Sequence, residues 1–570
     1  MKKSNCVYVR MFVLALLSFF VDVFVFRREL SQQFALYSEF HSTLVALIRL
    51  SMHSLISVCV ATAFYGLVRS VTKIGLFIQW GIYFLVNVSY HLFYVIQNRM
   101  PNSQDLRTLI ITPIEMSAGT ILSILSFSAI VKAILPAILV FIAYVFVSRF
   151  LANVNILKPA AAHVIAFFAV LVYVFNPMDI SVVVLDTFTN TEHLLVSYAH
   201  EAKYYNIERL AYTPPQSATN PNDNILLIID ESIRGDYLSI NNASLDTTPI
   251  LEKYIASYPE NIWNYGIALS SGTYSFLSQT VMLTGVHDFP DNKLMSLKNP
   301  TVFQIAKANN YRTFAIDLQG AMPNVIIRNQ DLNYIDELKT NWTEFSRETK
   351  TADIFAAKYL RDLLAHEKGL FVVLCKWGAH TPYEMRYPND EAQYQNYLPK
   401  LKLTEAHSPS NRRKIVNSYK NALRFNIDGF FSALFADDPD FITNTTIIWV
   451  SDHGEMFQEH GVMGPHASPY LESALIPFVI FSTNPWVQEN LKKPEAISCT
   501  VSQQNIFPTL LSIFEKRTNL SNGNFQSLIW QGDWQNENLF FVDGALWHET
   551  VLTPEMQNSR IILDTANYMY

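Results

Sequence analysis

Five apolar runs, each about the length needed to cross a membrane, lie within the first 177 of this chain's 570 residues, at 7–26, 43–68, 74–96, 130–148 and 160–177. A helix of roughly 20 apolar residues spans a hydrocarbon core about 30 Å thick. Five such runs in succession rule out a single water-soluble globule. A cleaved leader would be followed at once by polar sequence, whereas four more apolar runs follow the first, so the first is expected to be a retained anchor. Charge divides the chain at the same place. Residues 1–177 carry 13 Lys/Arg against 5 Asp/Glu, and the remaining 393 carry 29 against 44. A basic membrane part thus precedes an acidic part, and no nucleic-acid partner is expected. With 50% hydrophobic and 16% charged residues overall, the chain is neither disordered nor fibrous.

Basic residues beside short loops set the orientation. Lys2, Lys3 and Arg10 precede or open the first run, Arg69 and Lys73 lie between the second and third, and Arg149 and Lys158 between the fourth and fifth. All three groups share one side if the N-terminus is cytoplasmic. An odd number of spans then delivers everything after residue 177 to the opposite side. Arg27, Arg28, Arg99 and Arg107 fall on that outer side, as does a long mixed loop, 97–129.

Beyond a linker at 178–222, short apolar runs alternate with amphipathic stretches over 223–570. That alternation signals βα units and a doubly wound, mostly parallel sheet. Strands are expected at 224–229, 313–317, 370–375, 445–450, 477–481 and 539–542, and helices at 302–309, 351–366, 411–436 and 503–515. Cys375 and Cys499 are the two cysteines of this part; they could pair, although Cys375 lies in an expected buried strand.

Sites in such sheets form where strands end. The first strand runs into Asp230, Glu231 and Ser232, another into Ser451, Asp452, His453, Gly454 and Glu455, and a third into Lys376, Trp377, Gly378, Ala379 and His380. One polar strand end is ordinary, but three that gather carboxylates and imidazoles suit a metal ion with an open position. A hydroxyl nucleophile would complete such a site. The segment 268–275, Ala-Leu-Ser-Ser-Gly-Thr-Tyr-Ser, supplies candidates ahead of an apolar stretch, and chemistry alone does not choose among Ser271, Thr273 and Ser275.

The order of these pieces, NILLIIDESIRGDYLSI, SSGTYS, GAHTPYEMRYP, NSYKNALRFNIDGFF, VSDHGE with GPHASPY, and VSQQNIFPTLL, resembles the phosphoethanolamine transferases of Gram-negative bacteria, the lipid A and colistin-resistance branch of the alkaline phosphatase/sulfatase superfamily. The resemblance implies a five-helix bundle in the bacterial inner membrane and a periplasmic catalytic domain. It implies one tightly bound Zn²⁺ held by Glu231, Thr273, Asp452 and His453, with Thr273 as nucleophile. His380 and His466 would hold the transferred phosphate, directly or through a second zinc, and protonate the leaving group; His460 is the rival for the latter position. Glu115, in the outer loop, matches an acidic contact to the ethanolamine ammonium. Phosphatidylethanolamine is the implied donor, and lipid A or another envelope glycan or glycolipid the implied acceptor. Two departures stand out. Ser271 occupies a position where the family usually has a cysteine, and no lysine occurs in 318–324, where the family carries one near the phosphate, which makes Arg328 the nearest expected substitute.

Overall fold

The computed structural model describes residues 7–25, 62, 75–97, 127–150, 207–215, 220–287, 295–319, 327–340, 345, 349–398, 409–436, 442–461, 470–497, 500–534, 540–542 and 549–551. They fall into an N-terminal unit of helices and a larger unit that begins, among these residues, at Ile207.

In the N-terminal unit, α1 (Val7–Val25), α2 (Gly75–Gln97) and α3 (Phe127–Phe150) coincide with the first, third and fourth apolar runs. Ala15, Ala133 and Ala137 are fully buried, and small residues at a helix interface let backbones approach closely. Trp80 fills the remaining space, edge-on to Phe141 at 4.6 Å and to Tyr144 at 5.1 Å. One polar contact joins two helices, from the Ser18 hydroxyl to Asn87 Oδ1 at 3.5 Å. The outward faces are apolar too, with Phe20, Leu85 and Phe127 exposed at 61%, 70% and 73%. Over its described residues, no helix is long and apolar enough to cross a membrane. Nearly all of run 43–68, all of run 160–177, loop residues 98–126 with Glu115, and linker residues 178–206 lie outside the described residues.

The larger unit is built on a seven-stranded sheet. Its strands are β1 (Asn224–Asp230), β2 (Ile262–Leu269), β3 (Arg312–Asp317), β4 (Glu337–Lys339), β5 (Leu370–Cys375), β6 (Thr445–Ser451) and β7 (Leu475–Ser482), in the order β2-β7-β6-β1-β5-β3-β4. Six strands run one way, and β7 is antiparallel to both neighbours, so the sheet is mostly parallel with one reversed strand near its edge. Every residue of β1 is buried, as expected of a central strand covered on both faces.

Alternate residues serve opposite faces. On one side Leu226, Ile228, Val372, Leu374, Ile447 and Trp449 pack against α4 (Pro249–Ser257), α7 (Ala352–His366), α8 (Arg412–Leu423) and α9 (Gly429–Phe435). On the other, Ile225, Leu227, Ile229, Phe371, Val373, Ile448 and Val450 pack against α5 (Ser275–Thr284), α6 (Val302–Ala308) and α10 (Ile506–Glu515). The result is a three-layer α/β unit.

Several sequence expectations change. The helix expected at 411–436 forms over Arg412–Phe435 and contains a π-turn, Arg424–Asp428, between α8 and α9. Strand 539–542 does not join the main sheet; Phe540–Val542 pairs antiparallel with Glu549–Val551 in a separate hairpin. Cys375 is a free, buried thiol whose nearest polar partner is Gln279 Oε1 at 3.7 Å, and Cys499 lies outside the described residues.

Candidate active site

The carboxyl ends of β1, β5 and β6 are adjacent because β1 lies between β5 and β6 in register, with Ile229 beside Cys375 and Asp230 beside Ser451. Each strand therefore releases its polar tail at the same level of the sheet. Glu231 leaves β1, Asp452 and His453 leave β6, and the turn 376–380 leaves β5. Ligand atoms of Glu231, Asp452 and His453 lie within 4.8 Å of one another, and all three residues are buried. The turn after β5 folds directly onto Glu231, with the Ala379 N–H donating to the Glu231 carbonyl at 3.1 Å. Gly378 makes this approach possible. Its φ is +51°, and a Cβ there would sit 2.6 Å from the Glu231 carbonyl oxygen and 2.8 Å from Asp230 Oδ1.

The three candidate ligands are oriented by hydrogen bonds. Asp452 Oδ1 accepts the main-chain N–H groups of Ser232, at 3.0 Å, and His453, at 2.7 Å, whereas Oδ2 is buried without a hydrogen bond. The His453 Nδ1–H donates to the Gly454 carbonyl at 2.8 Å, which fixes the tautomer and turns Nε2 toward the carboxylates, 3.3 Å from Glu231 Oε1 and 3.5 Å from Asp452 Oδ2. Glu231 Oε2 accepts from Gln319 Nε2 at 3.0 Å and from the Ser275 hydroxyl at 3.2 Å.

Electrostatics show what this cluster lacks. Burial pushes the Asp452 carboxyl well above the usual range, and the neighbouring Glu231 charge adds to it. For Glu231 burial acts in the same direction, but the His453 hydrogen bond, the His453 charge and the His380 charge outweigh it and hold the carboxyl well below its ordinary value. Burial lowers His453, yet Asp452, Glu231 and Glu455 together raise it to about 10. An ionised Glu231 thus faces a protonated His453 and an Asp452 that holds its proton, and a divalent cation bound by the three would displace both protons. Two carboxylate oxygens and one imidazole nitrogen are ligand types that suit zinc with one position open.

The nucleophile segment comes down beside this group between β2 and α5. Thr273 and Ser271 are buried at 0% and 2% exposure, and neither hydroxyl has a hydrogen-bond partner. Ser275 is already engaged with Glu231. A second glutamine locks the segment to the ligand loop. Gln503 Nε2 donates to the carbonyls of Ser451, at 2.6 Å, and Asp452, at 2.7 Å, while its Oε1 accepts the Ser271 N–H at 2.8 Å. Sequence reasoning found neither Gln319 nor Gln503. Both act across long sequence separations, and Gln319 stands inside the stretch where a lysine was sought.

Behind the site, Lys376 Nζ is fully buried and donates to Asp230 Oδ2 at 2.9 Å and to the Asn426 carbonyl at 2.8 Å. Asn426 belongs to the π-turn and returns its amide to the carbonyls of Gly378 and Arg386. Burial raises Asp230 to about 6 despite the lysine.

His380 is partly buried, and its Nδ1–H donates to the Thr381 carbonyl, which leaves Nε2 as the proton-exchanging nitrogen. His466 and Glu115 lie outside the described residues. His460 stacks on Tyr470, with centroids 4.0 Å apart, and meets Glu472 Oε1 at 3.0 Å. Arg328 is a correction. Its guanidinium donates to the main-chain carbonyls of Ile207 and Leu297, both at 2.7 Å, so it fastens the linker's end to the domain instead of serving the phosphate.

Comparison with known proteins gives a consistent picture. The family model described as Sulfatase matches residues 223–516. Among curated proteins, phosphatidylethanolamine transferase Mcr-2 of Escherichia coli is 22% identical over 347 residues, covering 55% of this chain and 61% of that protein. Phosphoethanolamine transferase EptA of Salmonella typhimurium is 24% identical over 302 residues, covering 50% of this chain and 52% of that protein. The matched region thus spans about half to three-fifths of these relatives. Among solved structures, the integral membrane protein lipooligosaccharide phosphoethanolamine transferase A (EptA) of Neisseria meningitidis superposes with a TM-score of 0.60 at 18% identity, over 91% of this chain and 96% of that one.

Proposed function

The chain belongs to the sulfatase family, and from that premise we propose that it is a zinc-dependent phosphoethanolamine transferase of the bacterial inner membrane. On this reading its donor is phosphatidylethanolamine and its acceptor an envelope glycolipid or glycan such as lipid A. The observation that carries the reading is the enclosed Glu231, Asp452 and His453 group beside the buried, partnerless hydroxyl of Thr273. The names of the curated relatives and of the membrane-integral structural neighbour supply the head group and the setting. The five apolar runs of the sequence supply the anchor, with the catalytic unit on the periplasmic side.

Glu231, Asp452 and His453 would hold the ion, with Thr273 as a fourth ligand. Zinc bound there supplies a Lewis acid that favours the alkoxide form of a hydroxyl and offsets charge on phosphoryl oxygens. Thr273 Oγ gives up its proton to solvent and attacks the phosphorus of the donor. The bond from phosphorus to the diacylglycerol oxygen breaks, and that oxygen takes a proton from His380, or from His466. The Thr273 phosphodiester so formed carries the ethanolamine, whose ammonium Glu115 would meet. An acceptor hydroxyl or phosphate then attacks the same phosphorus and restores the Thr273 hydroxyl, a two-step displacement through a covalent enzyme ester. Gln503 and Gln319 keep the nucleophile segment and Glu231 in place through both steps.

Metal removal tests the reading. Release of diacylglycerol from labelled phosphatidylethanolamine by the full chain should stop with a chelator and return with Zn²⁺; release that continues at full rate in a metal-free preparation would contradict it.

A further inference from the structure

One buried cation of the catalytic unit has no counter-ion among the described residues. Arg386, six residues after His380, is only 6% exposed, and its guanidinium lies over the Trp377 ring at 4.2 Å. Nε donates to the His380 carbonyl at 2.8 Å, but Nη1 is buried with no hydrogen-bond partner. No ion pair holds Arg386 among the described residues. Other arginines with enclosed side chains differ: Arg234 is paired with Asp236 and Glu459 at 2.8 Å each, and Arg209 is held by Asp331. The acidic groups that act on Arg386 at longer range are Asp353, Glu231 and Glu384. Both oxygens of Asp353 already accept main-chain N–H groups, from Trp377 and Gly378. Burial brings the guanidinium down to about 10 against the pull of these carboxylates.

A buried charge left without a partner is costly unless something completes it. The arginine is anchored at one end by the carbonyl of His380, in the same turn that folds onto Glu231. Guanidinium geometry matches phosphate oxygens, which accept two parallel N–H groups.

We propose that Arg386 is an anion-binding residue of the site, whose free N–H groups take a non-bridging oxygen of the substrate's phosphate ester. The assignment rests on the transferase reading given above. It identifies what recognises the anionic phosphodiester and separates that task from the nucleophile Thr273 and the ligands Glu231, Asp452 and His453. In this account Trp377 holds the guanidinium flat and excludes water from one face, and the Nε bond fixes its distance from His380. One residue thereby couples the position of the phosphate to that of the proton donor.

The test is titration of the Zn²⁺-loaded full chain with inorganic phosphate, by calorimetry, for wild type, R386Q and R386K. R386Q can keep the bond to the His380 carbonyl while losing the charge. Its phosphate affinity should fall at least about tenfold, and R386K should recover part of the loss. Equal affinity in wild type and R386Q would overturn the proposal while leaving the transferase reading intact. Phosphate binding lost in R386Q, combined with no transfer from any phospholipid in wild type, would keep the anion site and sink the transferase reading. Should R386Q fail to fold, hydrogen exchange of segment 377–386 in wild type replaces it. Phosphate should slow that exchange, and unchanged exchange at saturating phosphate would overturn the assignment.

Discussion

At the scale of single residues, the site depends on amides that sequence inspection passed over. Gln503 connects a main chain at Ser271 with one at Ser451 and Asp452, across more than 50 residues in one direction and more than 230 in the other. Replacing it by Met leaves the buried Ser271 N–H and Ser451 carbonyl short of a partner, each costing about 1–3 kcal/mol, while the Asp452 carbonyl keeps the Ser270 hydroxyl. Gln503→Glu keeps the acceptor for Ser271 but sets a carboxylate against two carbonyl oxygens. Both variants should lower the transfer rate about 10²-fold, since small misplacements of reacting groups are that costly, and both should weaken Zn²⁺ binding. Thr509→Val, in the helix that follows Gln503 but bonded to Asn505 and Leu528, is the structural control. A rate loss no greater than that of Thr509→Val at matched stability would deny Gln503 a positioning role. The ligands themselves were legible. Glu231, Asp452 and His453 each follow an apolar run at once, and a strand covered on both faces has no other way to be written. Gln319 and Gln503 were not legible, because an amide looks the same on any surface and only the fold reveals what it bridges. Arg328 was misjudged for a related reason, since closeness in sequence to 318–324 does not fix which way a loop delivers a side chain.

At the scale of elements, the strands β1, β5 and β6 were expected within one residue of where they lie, because their apolar runs are unbroken. β2 was missed. Its sequence, IWNYGIAL, carries polar Asn264 and a positive-φ Gly266 at a register shift between Asn264 and Ile267, features that erase simple alternation. The π-turn Arg424–Asp428 was equally hidden, yet it presents Asn426 to the turn after β5 and Asp428 to the N-terminus of α4. Asp428 Oδ1 accepts the N–H groups of Ile250 and Leu251, both at 2.9 Å. Burial nevertheless raises its pKa to about 6, against these two bonds. A carboxyl raised in the folded state binds more protons there than in the unfolded chain, so its ionisation lowers stability as pH rises from about 4 toward 6 and beyond. Asp428→Asn keeps an acceptor oxygen and removes the charge. Chemical denaturation should find it about 1–3 kcal/mol more stable than wild type at pH 7.5, with the gain gone at pH 4. A variant less stable at pH 7.5 than at pH 4, relative to wild type, would reverse the sign of this account.

At the scale of the whole molecule, hydropathy and charge divide the chain near residue 177 and the alternating pattern points to an α/β unit from 223, whereas nothing in the sequence signals how the linker's last residues attach. Arg209 makes a two-pronged pair with Asp331, which is itself 0% exposed, and also donates to the carbonyls of Ser296 and Asn299. Arg328 reaches back to Ile207 from the same loop. The segment Ile207–Arg209 is therefore clamped to the rest of the larger unit by two arginines. Arg209→Met leaves Asp331 charged and enclosed, and should destabilise the unit by about 3–5 kcal/mol while speeding proteolysis near 200–215; unchanged stability and cleavage would remove the clamp from the account. The proposed function requires a membrane-borne donor to meet an enclosed hydroxyl, which makes the covalent step the claim on which everything else depends. Mass spectrometry of the peptide carrying Thr273, after incubation of the full chain with phosphatidylethanolamine, addresses it directly. The account predicts a phosphoethanolamine adduct on Thr273 that is absent from Thr273→Ala, and either no adduct on wild type or an undiminished adduct on the variant would contradict it.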